Sequence, residues 1–275
     1  MRAFFRRYRR LIAGPLALIG VVIVTGSVLF MTGTSAHGQS NLVSTNPADI
    51  TAGRNLFEAH CQACHGYEGT GGPSAPELVD KGAAAADFYL STGRMPLNDP
   101  GQQPLRHHPY FNGTQIRQLV AYVNALPEIT GTNVHGPDIP TIAPLCPTTT
   151  PAKGCVTLSE GQQSFAVNCA QCHQAAGAGG MLSNGFKVPS LFNSTQTQVA
   201  EAIRVGPMPM PIFSTQQISD AQSSAIAHYV QTLRAKTGPG GFTISSFGPV
   251  AEGFVAIIFG FGILLIAVRM IGTRG

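Results

Sequence analysis

A five-residue pattern, two cysteines separated by two residues and followed at once by histidine, occurs twice in this chain. This pattern is the attachment motif of c-type haem. Two thiols on one helical turn reach the two vinyl groups of a porphyrin, and the next histidine lies over the iron as its proximal ligand. The motif therefore predicts two covalently bound c-type haems. The predicted residues are Cys61, Cys64 and His65 in the first copy and Cys169, Cys172 and His173 in the second.

Paired cysteines at this spacing have two other uses, a redox-active dithiol and half of a zinc site. Neither use requires a histidine directly after the second cysteine. Because the histidine is present in both copies, the pattern favours haem over either alternative.

Two uncharged apolar runs lie near the ends of the chain, at 11–31 and 253–268, and only 11% of all residues are charged. Each run has about the length that crosses a bilayer. Arginines precede the first run and follow the second, so the positive-inside rule places both termini in the cytoplasm and the body of the chain outside. The net charge of +4 is concentrated in the N-terminal arginines and does not indicate nucleic-acid binding.

The apolar run at 11–31 has two interpretations, a cleaved signal or an uncleaved anchor preceded by a cytoplasmic segment at 1–10. The small residues 34–36 are compatible with cleavage, whereas the length of the run favours an anchor. At the other end of the chain, the sequence predicts a transmembrane helix over 249–270.

An internal repeat relates the two halves of the body of the chain. A glycine and a phenylalanine lie eight and four residues before the first cysteine of each motif, and a tyrosine-containing helical segment closes each half. The repeated residues are Gly53, Phe57 and Tyr122 in the first half and Gly161, Phe165 and Tyr229 in the second. Helical spacing of apolar residues predicts helices before each motif and at the end of each half.

Each half resembles a class I cytochrome c domain, a family in which the first and last helices cross at a small residue beside packed aromatic rings. The resemblance implies an all-α fold with two tandem class I cytochrome c domains and N-terminal and C-terminal transmembrane helices. The predicted boundaries are 48–128 for the first domain, 129–156 for a linker and 157–236 for the second domain.

The sixth iron ligand is expected downstream of each motif, where a methionine thioether gives a six-coordinate iron suited to electron transfer. The first half offers only Met95. The second half offers Met181, Met208 and Met210, and the resemblance to the family's Gly-Pro-x-x-Met-Pro-x-Phe loop selects Met210 over Met208.

Other side chains in the body are weaker candidates for haem contacts. Five histidines are rivals of methionine as axial ligands, and three arginines are candidates to pair with haem propionates. The histidines are His60, His107, His108, His135 and His228, and the arginines are Arg54, Arg94 and Arg204. The stretch 97–110 is predicted to be a solvated surface loop, with a docking surface for a partner as the alternative.

Cys146 and Cys155 remain after the haem motifs take four of the six cysteines. They lie in a segment rich in proline and threonine on the oxidising side of the membrane, so a disulfide between them is predicted. Two free thiols are the alternative.

Over nearly its whole length, the chain resembles the di-haem cytochrome c subunit of the actinobacterial type of quinol-oxidising cytochrome bc complex. The resemblance implies a subunit of a quinol:cytochrome c oxidoreductase that transfers electrons and has no catalytic residues of its own. It would relay electrons from a Rieske iron–sulfur subunit, beside a haem b subunit, to a haem-copper oxidase. It also implies a multi-pass protein of the cell membrane, in contact with lipid, with its haem domains on the extracytoplasmic side.

Two alternative functions share the same motifs. The first is a di-haem subunit of another oxidase or of a dehydrogenase, which would more often carry one N-terminal anchor. The second is a di-haem peroxidase, which needs an iron with an exchangeable position and acid–base groups beside it.

Overall fold

The computed structural model describes residues 43–147, 153–234 and 249–272. The predicted cytoplasmic segment 1–10 and the apolar run 11–31 lie outside the described residues, as does the candidate cleavage site. The first domain contains α1 (Pro47–His60), α2 (Gln62–His65), α3 (Gly82–Ser91), α4 (Gly113–Asn124) and α5 (Leu126–Thr130). The second contains α6 (Leu158–Asn168), α7 (Ala170–His173), β1 (Gly180–Met181), β2 (Lys187–Val188), α8 (Gln196–Val205) and α9 (Asp220–Arg234), and α10 (Pro249–Gly272) follows.

Helices α1 and α4 cross at Gly53 in the first domain. A Cβ atom on Gly53 would lie 2.0 Å from the carbonyl oxygen of Gln118, so only glycine allows this approach. The rings of Phe57 and Tyr122 pack beside the crossing with their centroids 5.3 Å apart, and both side chains are buried. The side chain of Asn112 begins α4 with a capping box, which satisfies amide groups at the start of the helix.

The second domain repeats this arrangement with α6 and α9. A Cβ atom on Gly161 would lie 2.1 Å from the carbonyl oxygen of Ala225, and the rings of Phe165 and Tyr229 lie 5.5 Å apart. Thr157 and Glu160 form the capping box that begins α6. The predicted repeat therefore corresponds to two similar helix crossings.

The prediction of an all-α fold is not confirmed in full. Strands β1 and β2 form a short antiparallel hairpin in the second domain, pairing Gly180 with Val188 and Met181 with Lys187. Gly179 and Gly185 take positive φ angles of +74° and +84°, which permits the tight reversals at this hairpin. Helices nevertheless form the cores of both domains.

The two domains contact each other through α3 and α8. Ala83, Ala84 and Ala200 on these helices have no solvent exposure, and small side chains allow helices to approach closely. Polar contacts extend the interface. The side chain of Gln103 donates to the carbonyl oxygen of Lys187 (2.8 Å) and accepts from its amide (3.0 Å).

The part of the linker that the structure describes before residue 148 lies along both domains. A Cβ atom on Gly136 would lie 2.3 Å from the carbonyl carbon of Lys81, so the linker contacts the start of α3. Further along, Ala143 accepts a hydrogen bond from His228 Nε2 (2.9 Å) and its amide donates to Ser224 Oγ (3.1 Å). The predicted disulfide between Cys146 and Cys155 is present.

Helix α10 is long and apolar enough to cross a membrane. Its segment Gly253–Gly272 has a mean hydropathy of 2.6, and large apolar side chains along it are exposed. By length and composition, the helix matches the predicted C-terminal span.

Candidate haem sites

The first haem motif lies at the end of α1, where the chain turns directly into α2. The amide of Cys61 donates to the carbonyl oxygen of Phe57, and the amide of His65 donates to that of Cys61. This single turn brings the two thiols and the imidazole together. Cys61 is partly buried, Cys64 is exposed and His65 is buried, and neither cysteine forms a disulfide.

The ring of His65 is held in one orientation by a backbone contact. Its Nδ1 lies 2.8 Å from the carbonyl oxygen of Pro76. Because a carbonyl oxygen only accepts, Nδ1 carries the proton and Nε2 keeps its lone pair. A metal-binding histidine has this tautomer, with its second nitrogen hydrogen-bonded to orient the ring.

The second motif has the same construction between α6 and α7. Nδ1 of His173 lies 3.1 Å from the carbonyl oxygen of Pro189, so its Nε2 is also left available for iron. Burial lowers the pKa of His173, which favours the neutral, ligating form, although the bond to Pro189 opposes this shift. Cys169 is buried and Cys172 is exposed.

The leading thiol of each motif is poorly suited to act as a thiolate. Burial, with a smaller effect of the neighbouring cysteine, raises the pKa of both Cys61 and Cys169 to about 11. A redox-active dithiol needs the opposite shift. The surroundings of these thiols therefore disfavour a redox-active dithiol.

The methionines differ in their surroundings. Met95 packs against the core of the first domain, and Met210 packs against the core of the second. Met208, in contrast, is 69% exposed, and Met181 is 67% exposed. Of the methionines in the second domain, Met210 thus has the environment expected of a buried ligand.

A cavity of about 290 Å³ lies around the second haem motif, and its walls fit a haem. Cys169, Cys172 and His173 line one side, and Met208 and Met210 also line it. Apolar side chains such as Phe165, Ile203 and Val230 provide most of the remaining wall, as expected for a porphyrin site. The donor set, the free Nε2 and the apolar wall all suit a covalently attached haem.

Two of the three arginines considered as propionate partners are engaged elsewhere. Arg54 forms ion pairs with Glu68 and Glu58. Arg204 donates to the carbonyl oxygen of Phe213 (3.1 Å) and to Asp220 (2.7 Å). Neither lines the cavity of the second domain, whereas Arg94 does.

Several of the rival histidines have other contacts in the structure. His228 connects Gln196 to Ala143, with ring nitrogens 2.9 Å from each partner, and His60 packs edge-on against Phe111. His135 lies 3.4 Å from Glu128, and Nδ1 of His108 lies 3.0 Å from the carbonyl oxygen of Pro109. His107 is exposed, and its amide donates to the carbonyl oxygen of Thr92.

The stretch 97–110 is a loop, as predicted, and it is exposed at 98–102, 107, 108 and 110. Its middle part departs from the prediction, because Gln103 to Arg106 are partly buried and line the cavity around the second haem motif. Arg106 Nη2 also donates to Gln198 Oε1 (2.9 Å) on α8. Sequence reasoning missed Arg106 and Gln198 because no local pattern records a contact made across a domain boundary.

Comparisons with known proteins agree with the two-domain architecture. A family model described as "Cytochrome c" matches residues 50–127, and one described as "Cytochrome C oxidase, cbb3-type, subunit III" matches residues 156–230. Full-length relatives are named "Cytochrome bc1 complex cytochrome c subunit". The Mycobacterium tuberculosis relative is 34% identical, covering 98% of this chain and 93% of the relative. The Corynebacterium diphtheriae relative is 29% identical, covering 98% and 96%.

Proposed function

Because the chain belongs to the family of cytochrome c subunits of cytochrome bc1 complexes, we propose that it relays electrons from a Rieske iron–sulfur subunit to a haem-copper oxidase. Its two c-type haems supply the one-electron chemistry of this relay. The haem b subunit of the same complex is its other proposed partner. The proposed domain boundaries are those of the sequence analysis, 48–128 and 157–236.

The observation that carries this proposal is the pair of similar donor sets in two directly contacting domains. In each domain, two thiols would attach the haem, an imidazole held through Nδ1 would ligate the iron, and a methionine thioether would provide the remaining ligand. The proposed axial ligands are His65 with Met95 and His173 with Met210. Fully ligated irons suit electron transfer and leave no position for a substrate.

The chain's own residues would keep both sites rigid during transfer. The carbonyl oxygens of Pro76 and Pro189 hold the two imidazole rings, at 2.8 and 3.1 Å from Nδ1. The apolar side chains that line the cavity around the second motif would limit the access of water to the porphyrin there. Such fixed surroundings keep the reorganisation of ligands and solvent small when the charge of the iron changes.

We place the haem domains on the extracytoplasmic side of the cell membrane, held by spans at both ends of the body. The exposed apolar surface of α10 supports a lipid contact at the C-terminal end. The disulfide between Cys146 and Cys155 supports an oxidising compartment.

A subunit of another oxidase is the second candidate, because the second domain matches a model of a cbb3-type oxidase subunit. That match covers residues 156–230 only, whereas the bc1-complex relatives match along 98% of the chain. A chain shortened to end at residue 248 separates the two functions. Loss of assembly with a haem b subunit supports the bc1-complex role, and unimpaired assembly supports the rival.

The main test is a reduced-minus-oxidised spectrum of the protein isolated in mild detergent through a tag on this chain, with an untagged strain as the control. The proposal expects b-type and a-type haem bands beside the c-type band, and oxygen uptake driven by quinol. Isolation of c-type haem alone, under conditions that keep other membrane complexes intact, would overturn it.

A further inference from the structure

The cavity that holds the haem motif of the second domain is completed by the first domain. Six residues of the first domain line it: Phe88, Arg94, Gln103, Pro104, Leu105 and Arg106. They come from α3, from the segment around Met95 and from the stretch 97–110. The walls of this cavity are therefore shared by both halves of the chain.

Two of these six residues are cations, and Arg94 is the more deeply buried. Arg94 is 7% exposed, and its Nη1 has no hydrogen-bond partner. Among the residues that the structure describes, no acidic side chain forms an ion pair with it. Its guanidinium lies over the ring of Phe88 at 4.8 Å from the centroid, which fixes its position without neutralising its charge.

Arg106 lines the same cavity as Arg94. The buried charge of Arg94 is costly in an apolar cavity unless an anion binds beside it. The cavity therefore has the electrostatics of a carboxylate-binding site.

The backbone fixes both arginines at this place. Gly93 takes a φ of +64°, and a Cβ atom there would lie 2.5 Å from the carbonyl oxygen of His107. The segment carrying Arg94 and the returning segment carrying Arg106 are thus in direct backbone contact. Gln198 orients Arg106 from the other domain through the 2.9 Å hydrogen bond, and its Nε2 donates to Ser91 Oγ at 3.2 Å.

We propose that Arg94 and Arg106 of the first domain bind the propionate carboxylates of the haem attached to Cys169 and Cys172 of the second domain. Guanidinium groups suit this role because their paired N–H donors match the two oxygens of a carboxylate. The proposal rests on the assignment of that haem to the second motif. It adds that one domain supplies the charges that neutralise the cofactor of the other.

Arg94 also directly precedes Met95, the proposed axial ligand of the first haem. A single peptide bond therefore joins the residue that contacts the second haem to the residue that ligates the first. The two haem sites are connected through the chain at this point, as well as through the packing of α3 against α8.

Redox titration of the c-type bands in the isolated holoprotein tests the proposal. A cation beside the haem stabilises the reduced, more negative form, so its removal lowers the reduction potential. The variants are Arg94→Gln, Arg94→Lys and Arg106→Gln, with Arg117→Gln on the exposed face of α4 as the control for loss of a surface charge. A Met210→His variant identifies the titration step of the second haem, because the axial ligand sets the potential of that haem.

Arg94→Gln and Arg106→Gln are each expected to shift the second-domain step to lower potential, and Arg94→Lys is expected to shift it less. Arg117→Gln is expected to leave it in place. If the chain still carries two covalent haems and neither glutamine variant moves the second-domain step, the proposal is wrong. It is also wrong if Arg94→Gln moves only the first-domain step, or if the shifts depend on added phosphate, which would indicate a free anion.

Arg106→Gln keeps the test informative if Arg94→Gln fails to fold, because Arg106 is only partly buried. The titration also separates this proposal from the relay function. A chain isolated without b-type haem contradicts the relay, yet its two c-type steps still report on Arg94 and Arg106.

Discussion

Asp87 on α3 and Glu201 on α8 bury their carboxyl groups at the contact between the two domains. Asp87 is 5% exposed and Glu201 is fully buried. Burial, and then the negative charge of Asp87, hold the pKa of Glu201 well above its usual range. Burial likewise raises the pKa of Asp87. The contact between the domains therefore contains acidic groups that bind protons more tightly in the folded chain than in the unfolded one.

Glu201→Gln is expected to change the pH dependence of stability. Because the folded pKa is raised, the contribution of Glu201 to the free energy of unfolding is greatest below the ordinary carboxyl pKa and falls as pH rises towards the folded value. The amide cannot ionise, so the variant should lose the part of this decline that Glu201 causes, whereas Asp87 keeps its own part. At neutral pH the variant should be more stable than the natural chain, because it neither buries a negative charge nor has to bind a proton in order to fold. Unfolding measured by circular dichroism between acidic and neutral pH checks this.

Glu77→Gln is the control for this experiment, because Glu77 is exposed. It should leave the pH dependence as in the natural chain. If the Glu201→Gln curve runs parallel to the natural one, Glu201 does not carry a raised pKa.

Gly53→Ala and Gly161→Ala are each expected to destabilise the domain that carries the substitution. The added methyl group would lie 2.0 or 2.1 Å from a backbone oxygen, so the two crossing helices would have to separate. Overpacking of this kind costs about 1–3 kcal/mol or more. Gly113→Ala is the control, since a Cβ atom there meets only the end of Arg117 at 3.8 Å. Equal stability of Gly53→Ala and Gly113→Ala in denaturant unfolding would contradict the crossing.

Met210→Ala and Met208→Ala distinguish the two candidate ligands of the second haem. Loss of the true thioether ligand should remove about half of the sulfur-to-iron charge-transfer band, because one of two haems loses its methionine. We expect this loss for Met210→Ala and an unchanged band for Met208→Ala, whose side chain is 69% exposed. Met95→Ala should remove the other half. Loss of the band in Met208→Ala, with an unchanged band in Met210→Ala, would identify Met208 as the ligand.

Replacing Cys146 and Cys155 together by serine is expected to lower stability by about 2–3 kcal/mol, the usual effect of a short disulfide loop. The natural chain, denatured without reductant, should show no reactive thiol, because the disulfide holds these two cysteines and thioethers hold the other four. Detection of two free thiols would show that the disulfide does not form.

Local spacing explains which features the sequence could predict. The haem motifs and the pairs Gly53–Phe57 and Gly161–Phe165 lie within two or three helical turns, so their geometry follows from the helix itself. The disulfide between Cys146 and Cys155 could also be predicted from the sequence, because these two cysteines lie in one short segment and belong to neither haem motif.

Contacts between the domains were not predictable in this way. Arg54 and Arg204 were as plausible as Arg94 for propionate binding, and only the folded chain shows that the first two have acidic partners. The stretch 97–110 is polar and rich in proline, and these properties do not distinguish a solvated loop from one that lies against a neighbouring domain. Its true position depends on how α3 meets α8.

The path of the linker determines whether one domain can be exchanged for that of a related protein. Its backbone lies against the start of α3 near Gly136 and is bound near Ala143 by Ser224 and His228 of α9. The linker therefore contacts both domains and restricts their relative movement, so that the fold itself determines the distance between the two redox centres. A chimaera that replaced only the second domain would need equivalents of Ser224 and His228. Without them, the linker would lose its hydrogen bonds to that domain and the two domains could move relative to each other.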